Sequence, residues 1–180
     1  CGIPYHAADN YIVRLIKANK RVAICEQLET VPSSGPIVKR EVVRIVTPGT
    51  VIESNLIPTD EFNFLGSVII TKTAIGLSFI DISTGDFYIS SIEKKIELFR
   101  SELIRFDPKE VVFYSESPVE DENFIEYLHL SEIPLYSIHE WLYEQEFMDK
   151  IICETFHIKN IKGFGIETTL DSMSAGSILQ

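Results

Sequence analysis

Three runs decide the fold: Asn63-Phe64-Leu65-Gly66-Ser67-Val68-Ile69-Ile70-Thr71-Lys72, Gly76-Leu77-Ser78-Phe79-Ile80-Asp81-Ile82 and Asp86-Phe87-Tyr88-Ile89-Ser90-Ser91. Each is dense in β-branched and aromatic residues, as strands require. Turn residues separate them, Lys72-Thr73-Ala74 after the first and Thr84-Gly85 after the second. Consecutive strands joined by such short turns pair antiparallel. After them the pattern alternates. Ile96, Phe99, Leu103 and Ile104 share one side of a helix predicted over Glu93–Arg105. Glu110–Tyr114 reads as a strand, Glu122–Leu128 as a short helix and Pro134–Ser137 as a short strand. A longer helical stretch is expected over His139–Phe156, and a last helix from Thr169 to Gln180. The fold class is α/β: a mixed sheet flanked by helices.

Upstream, Val51–Glu61 carries Asn, Pro, Thr and Asp with little periodicity and reads as a linker between two domains. Lys39–Thr47 is a strand, apolar on both faces near its end as an internal strand would be. Thr47-Pro48-Gly49-Thr50 stops it, and Pro followed by Gly predicts a type II turn with positive φ at Gly49. Val31–Pro36 is a loop and Arg21–Glu26 a short apolar strand. Ala7–Asn19 is an amphipathic helix, with Ala8, Tyr11, Ile12, Leu15 and Ile16 at helical spacing. The expected domains are therefore residues 1–50 and 62–180, joined by 51–61.

Charge separates the two parts. Residues 1–50 hold seven Lys/Arg against four Asp/Glu, whereas residues 51–180 hold nine against twenty-three. An acidic body repels a phosphate backbone, so nucleic-acid contact is expected in the first part. Scatter alone accounts for so small a basic excess, and the acidic remainder equally suits a domain kept soluble by charge. No run approaches the roughly 18 to 20 apolar residues that cross a bilayer, and no signal peptide is visible. Cys1, Cys25 and Cys153 are too scattered for a disulfide framework or a zinc site, which favours a reduced, cytoplasmic setting. Both ends read as cut ends.

Three blocks carry a family resemblance: Gly2-Ile3-Pro4-Tyr5-His6-Ala7, Val22-Ala23-Ile24-Cys25-Glu26-Gln27 and Lys39-Arg40-Glu41-Val42-Val43-Arg44-Ile45-Val46-Thr47-Pro48-Gly49-Thr50. In order and spacing they resemble the second half of the mismatch-recognition domain of the bacterial MutS family. Gly76–Phe87 and Gly163-Phe164-Gly165-Ile166-Glu167 resemble that family's RNase H-like connector domain. The resemblance is weakest over Ser115–Lys162. It implies an internal fragment of a protein that binds mispaired duplex DNA, hydrolyses ATP with Mg²⁺, acts as a homo-oligomer and engages MutL through its connector. The fragment itself is expected to be monomeric. The family's Phe-x-Glu mismatch reader and its ATPase site match nothing in this chain.

By analogy the loop before the first helix approaches DNA, which places Gly2 and Ile3 near the backbone. Lys39, Arg40 and Arg44 are candidates for phosphate neutralisation. The competing reading is that they are solvated strand-end charges, with Arg40 or Arg44 paired to Glu41 or Glu26. Pro48 and Gly49 form the structural turn. A sheet half uncovered is also expected to leave residues 1–50 less stable than the connector.

The RNase H-like order raises metal-dependent nuclease chemistry, which needs carboxylates from a first strand, a helix and a later strand. Asp81, Glu97, Glu102 and Glu110 or Glu116 supply the residue types, but a chain this acidic supplies such a set by accident. Asp81 also precedes a Ser-Thr-Gly turn, where a short carboxylate caps backbone. His6, His129, His139 and His157 form no nucleophile signature, and Cys25 reads as a small buried side chain. No phosphate-cradling Gly loop occurs. No catalysis, cofactor or metal is expected of these 180 residues.

Overall fold

The computed structural model describes residues 2–27, 38–50, 62–137, 145–166 and 168–179, with Tyr5 and Phe164 as backbone. The expected linker, the loop over Val31–Pro36 and the start of the helix expected at His139 lie outside these residues.

A 3₁₀ turn over Tyr5–Ala7 leads into α1 (Ala8–Lys17). The helix ends because Asn19 turns to φ 53°, letting its own N–H reach the Ile16 carbonyl and that of Lys20 the Leu15 carbonyl. That double bond pattern satisfies carbonyls the last turn leaves open. β1 (Val22–Gln27) and β2 (Arg40–Val46) follow as an antiparallel ribbon. Among the described residues β2 has one strand neighbour rather than the two expected of an internal strand. Val42, Val43 and Ile45 are consequently about half exposed, at 50%, 50% and 53%.

The second unit is a five-stranded sheet in the order β5-β4-β3-β6-β7. β3 (Phe64–Ile70) is central and wholly buried, as expected of a run that is apolar but for Ser67. β4 (Ala74–Asp81) and β5 (Asp86–Glu93) complete the antiparallel meander, while β6 (Glu110–Ser115) and β7 (Leu135–Ser137) run parallel to β3. The expected mixed sheet is present.

Period-2 alternation splits this sheet into two unlike faces. Phe64, Val68, Ile70, Ile75, Leu77, Phe79, Val111 and Phe113 form a large apolar layer with Phe99 and Leu103 of α2 (Ile96–Phe106) and Phe124 and Leu128 of α3 (Glu122–Leu130). The opposite face carries small residues and receives α5 (Thr169–Ile178), which packs on α4 (Gln145–Thr155). Gly76 lets α5 approach closely: a Cβ there would lie 2.8 Å from Leu170 side-chain carbons. The Ser78 hydroxyl donates to the Ser174 carbonyl at 2.8 Å in the same layer.

The turn after β2 differs from expectation. Pro48–Thr50 is a 3₁₀ turn, and Gly49 is not among the residues with positive φ. Its glycine answers a steric demand instead, since a Cβ would stand 3.1 Å from the Glu110 Cβ and 3.2 Å from the Leu65 Cβ.

Candidate functional site

The basic residues of the first unit lie on and around the ribbon, and its register distributes them. Ile24 pairs with Arg44 and Cys25 with Val42, so Val43 is an extra residue in β2, a β-bulge. Cross-strand partners share a face. One face therefore carries the rungs Val22–Val46, Ile24–Arg44 and Glu26–Glu41, and the other Ala23–Ile45, Cys25–Val42 and Gln27–Arg40. Arg40 and Arg44, four apart in sequence, point to opposite sides. They do not form one phosphate-binding patch.

Arg44 is partly buried and sits one rung from Glu26 and Glu41, which face each other. Like charges opposed across a ribbon repel, and a guanidinium beside them offsets that repulsion. This placement favours the structural reading of Arg44. Lys39 and Arg40 are exposed at the ribbon end remote from Val46, open to solvent and to any phosphate. Gly2 and Ile3 are exposed on the approach to α1, with nothing within 4 Å of a Cβ built at Gly2. Cys25 is exposed, against the expectation of a buried side chain, because it lies on the uncovered face of the ribbon.

The other end of the ribbon is bound to the second unit. Val46, Thr47, Pro48 and Gly49 are buried. Thr47 and Thr50 close the turn on themselves, the Thr47 N–H donating to the Thr50 hydroxyl oxygen at 2.9 Å and the Thr50 N–H to the Thr47 carbonyl at 3.1 Å. The outward groups go across. The Gly49 N–H donates to Oε2 of buried Glu110 at 3.1 Å, and the Asn63 side-chain amide donates to the Pro48 carbonyl at 3.0 Å. Gly49 thus rests on the Leu65–Glu110 pair, the first rung between β3 and β6. At the start of β1, the Arg21 guanidinium lies 4.5 Å over the Tyr136 ring of β7. Burial, then the Glu110 carboxylate, hold the Tyr136 phenol above its ordinary value, with Arg21 pulling the other way. Sequence reasoning saw a strand stop here and missed the docking. The only signal in the sequence was the uncharged run Ile45–Ile52, bounded by Arg44 and Glu53.

Apart from Glu97, the carboxylates weighed for metal chemistry are occupied by structure. Asp81 is buried and accepts the N–H groups of Asn63 at 2.9 Å, Ser83 at 2.8 Å and Thr84 at 3.3 Å, with the Ser83 hydroxyl at 2.5 Å. Burial alone would raise its pKa, but these donors outweigh burial and hold the carboxyl below its ordinary value. Glu110 accepts from Gly49, Glu116 from the Lys72 N–H at 3.2 Å, and Glu102 pairs with Arg105 at 3.5 Å. Glu97 is exposed. No group of three or more His, Cys, Asp or Glu among the described residues is placed to hold a metal ion. The nuclease reading is unsupported.

A second surface lies on the outer side of α3. Val119 and Leu130 are 89% and 74% exposed and, with Ile125, line a shallow groove edged by Glu122, Glu126 and His129. Among the described residues no helix is long and apolar enough to cross a membrane.

Comparison with known proteins agrees with this two-unit arrangement. The family model of MutS domain I matches residues 1–55, and that of MutS domain II matches residues 63–180. The DNA mismatch repair protein MutS of Alkaliphilus metalliredigens is 36% identical over 183 residues, covering 99% of this chain and 21% of its own length. Those of Lachnoclostridium phytofermentans and Syntrophomonas wolfei are 36% and 37% identical, covering 100% and 98% of this chain and 19% and 20% of their own lengths. The chain spans about a fifth of the length of these relatives. With both family models matched in sequence order, and the second over most of the chain, the chain belongs to the MutS family.

Proposed function

We propose that the chain is the part of a mismatch repair protein in which the mismatch-recognition domain meets its connector. Residues 1–50 supply the C-terminal half of the recognition domain and residues 62–180 the connector. The parent binds mispaired or unpaired bases in duplex DNA as a homo-oligomer. It signals through ATP and Mg²⁺ to MutL and works in the cytoplasm. This portion is a monomeric, non-catalytic support that needs no cofactor. Its exposed basic strand end contacts the DNA backbone, and its acidic connector faces protein.

One observation carries the reading. Lys39 and Arg40 are exposed at one end of a ribbon whose other end is buried against the connector. A backbone-contacting group on a fixed support positions DNA without reading its sequence. Nothing among the described residues offers an aromatic wedge at that end.

Fluorescence anisotropy with a G·T-mismatched duplex and its matched twin, across several salt concentrations, tests this. Equal, weak and steeply salt-dependent binding supports it. Clear preference for the mismatch shows that residues of this chain read the lesion. No binding at low salt leaves a protein-interaction module.

A further inference from the structure

The geometry points to Glu110 as a positioning residue that clamps the β1–β2 ribbon to the connector, making the ribbon a rigid arm that carries Lys39 and Arg40 at its tip. This inference goes beyond the proposed function and holds whether or not the tip touches DNA.

Among the described residues, the ribbon meets the connector at one end, with a contact flanking each of its strands. Val22 pairs with Val46, so the start of β1 and the end of β2 lie together. Arg21, just before β1, lies over Tyr136 of β7. Gly49, just after β2, donates to Glu110 of β6. β6 and β7 are hydrogen-bonded neighbours, with Val112 opposite Tyr136. A single contact leaves rotation free, whereas two contacts on adjacent strands of one sheet fix direction as well as position. The seven residues of β2, at a rise of about 3.3 Å each, carry the tip roughly 20 Å beyond the clamp.

Glu110, 5% exposed, is the critical member because its side-chain oxygen is a buried acceptor, and its removal leaves the Gly49 N–H without that partner, away from water. The Gly49 N–H is the bond that crosses between the units at this carboxylate. The fit is tight enough that Gly49 admits no side chain without displacement. Asn63 adds a neutral bond to Pro48 on the same turn, and Asp81 holds the Asn63 backbone in place.

The test measures distances within the full chain. Spin labels go on native Cys25, exposed on the ribbon, and on Glu126→Cys, exposed on α3, with Cys1 and Cys153 changed to Ser. Pulsed dipolar spectroscopy should give one narrow distribution in this background and in Glu110→Gln, which retains an acceptor. Glu110→Ala should at least double its width, while amide exchange in β3 and β4 stays within about threefold of the parent. Gly49→Ala, which leaves Glu110 intact, should shift or broaden the distribution and keeps the test informative if Glu110→Ala does not fold. A broad parent distribution overturns the proposal, as does an unchanged one in both Glu110→Ala and Gly49→Ala. Equal broadening in Gln and Ala overturns the acceptor role. Loss of β3 and β4 protection in step with the broadening also overturns it, since Glu110 would then be an ordinary core residue.

Discussion

Ser67 of β3 and Ser177 of α5 place their hydroxyl oxygens 2.5 Å apart although 110 residues separate them. Both are buried, and each sits where a larger side chain would push the helix off the sheet. Such close packing leaves little slack, so added volume is costly. Gly176→Ala puts a Cβ 2.7 Å from the Met148 Cβ and 3.0 Å from its Cα. The expected loss is about 1 to 3 kcal/mol, read as a lower urea midpoint with an unchanged slope. Ser177→Ala removes two hydrogen bonds and takes away the partner of buried Ser67, and should cost about 1 to 3 kcal/mol.

Asp81 sets an acid limit on the connector. Its folded pKa lies below the unfolded value of about 3.9, so its stabilising effect is complete above that value and disappears as pH falls through the folded one. Asp81→Asn should lower stability near pH 7 by about 1 to 3 kcal/mol and flatten the acid limb of the pH profile. Urea melts between pH 2.5 and 7 measure both. A parallel limb in the variant would show that Asp81 does not govern it.

Lys94 and Asp121 form an ion pair at 2.6 Å, with side chains 16% and 0% exposed, that joins the end of β5 to the entry of α3. The Ser115 hydroxyl adds a bond to the same carboxylate at 2.5 Å. Lys94→Met strands a buried carboxylate and should cost about 3 kcal/mol. Adding Asp121→Asn should recover part of that, because the uncompensated charge rather than the lost attraction dominates. Thermal melts of the two single variants and the double variant check it.

Arg40 and Arg44 should behave differently toward DNA because Val43 puts them on opposite faces. Arg40→Ala should lower the slope of log affinity against log salt by about 0.9, equally for matched and mismatched duplexes. Arg44→Ala should leave that slope within error and instead destabilise the ribbon, seen as faster amide exchange in β1 and β2.

Much of the connector was readable because its strands declare themselves. β3 is apolar apart from Ser67, β4 and β5 follow at hairpin distance, and α2 and α3 show their apolar spacing. The helix α5 shows why pattern reading has limits. Its Ser, Ala and Gly residues have no apolar stripe, yet most are buried because small size is what the sheet face demands. Boundaries of β1, β2 and α1 fell within about two residues of expectation. What escaped was relational. The bulge at Val43 is visible only in the pairing of β2 with β1, and it reverses the grouping of the two arginines. The fit of Gly49 against Glu110 joins positions 61 apart, which local turn chemistry cannot reveal; Pro-Gly suggested a left-handed glycine where the fold needed an absent side chain. Cys25 was placed inside because an apolar strand ordinarily has two covered faces.

The burial of Val46–Gly49 separates two meanings of a domain boundary. By sequence family the connector begins at residue 63. By packing it begins before Val46, because those four residues complete its surface over Leu65 and Glu110. A connector excised at Phe62 would expose an apolar patch and a carboxylate that the intact chain keeps from water. It should express less well than one excised at Arg21, which would retain the ribbon together with its covering turn. The practical unit for transplantation is therefore the connector with its arm attached.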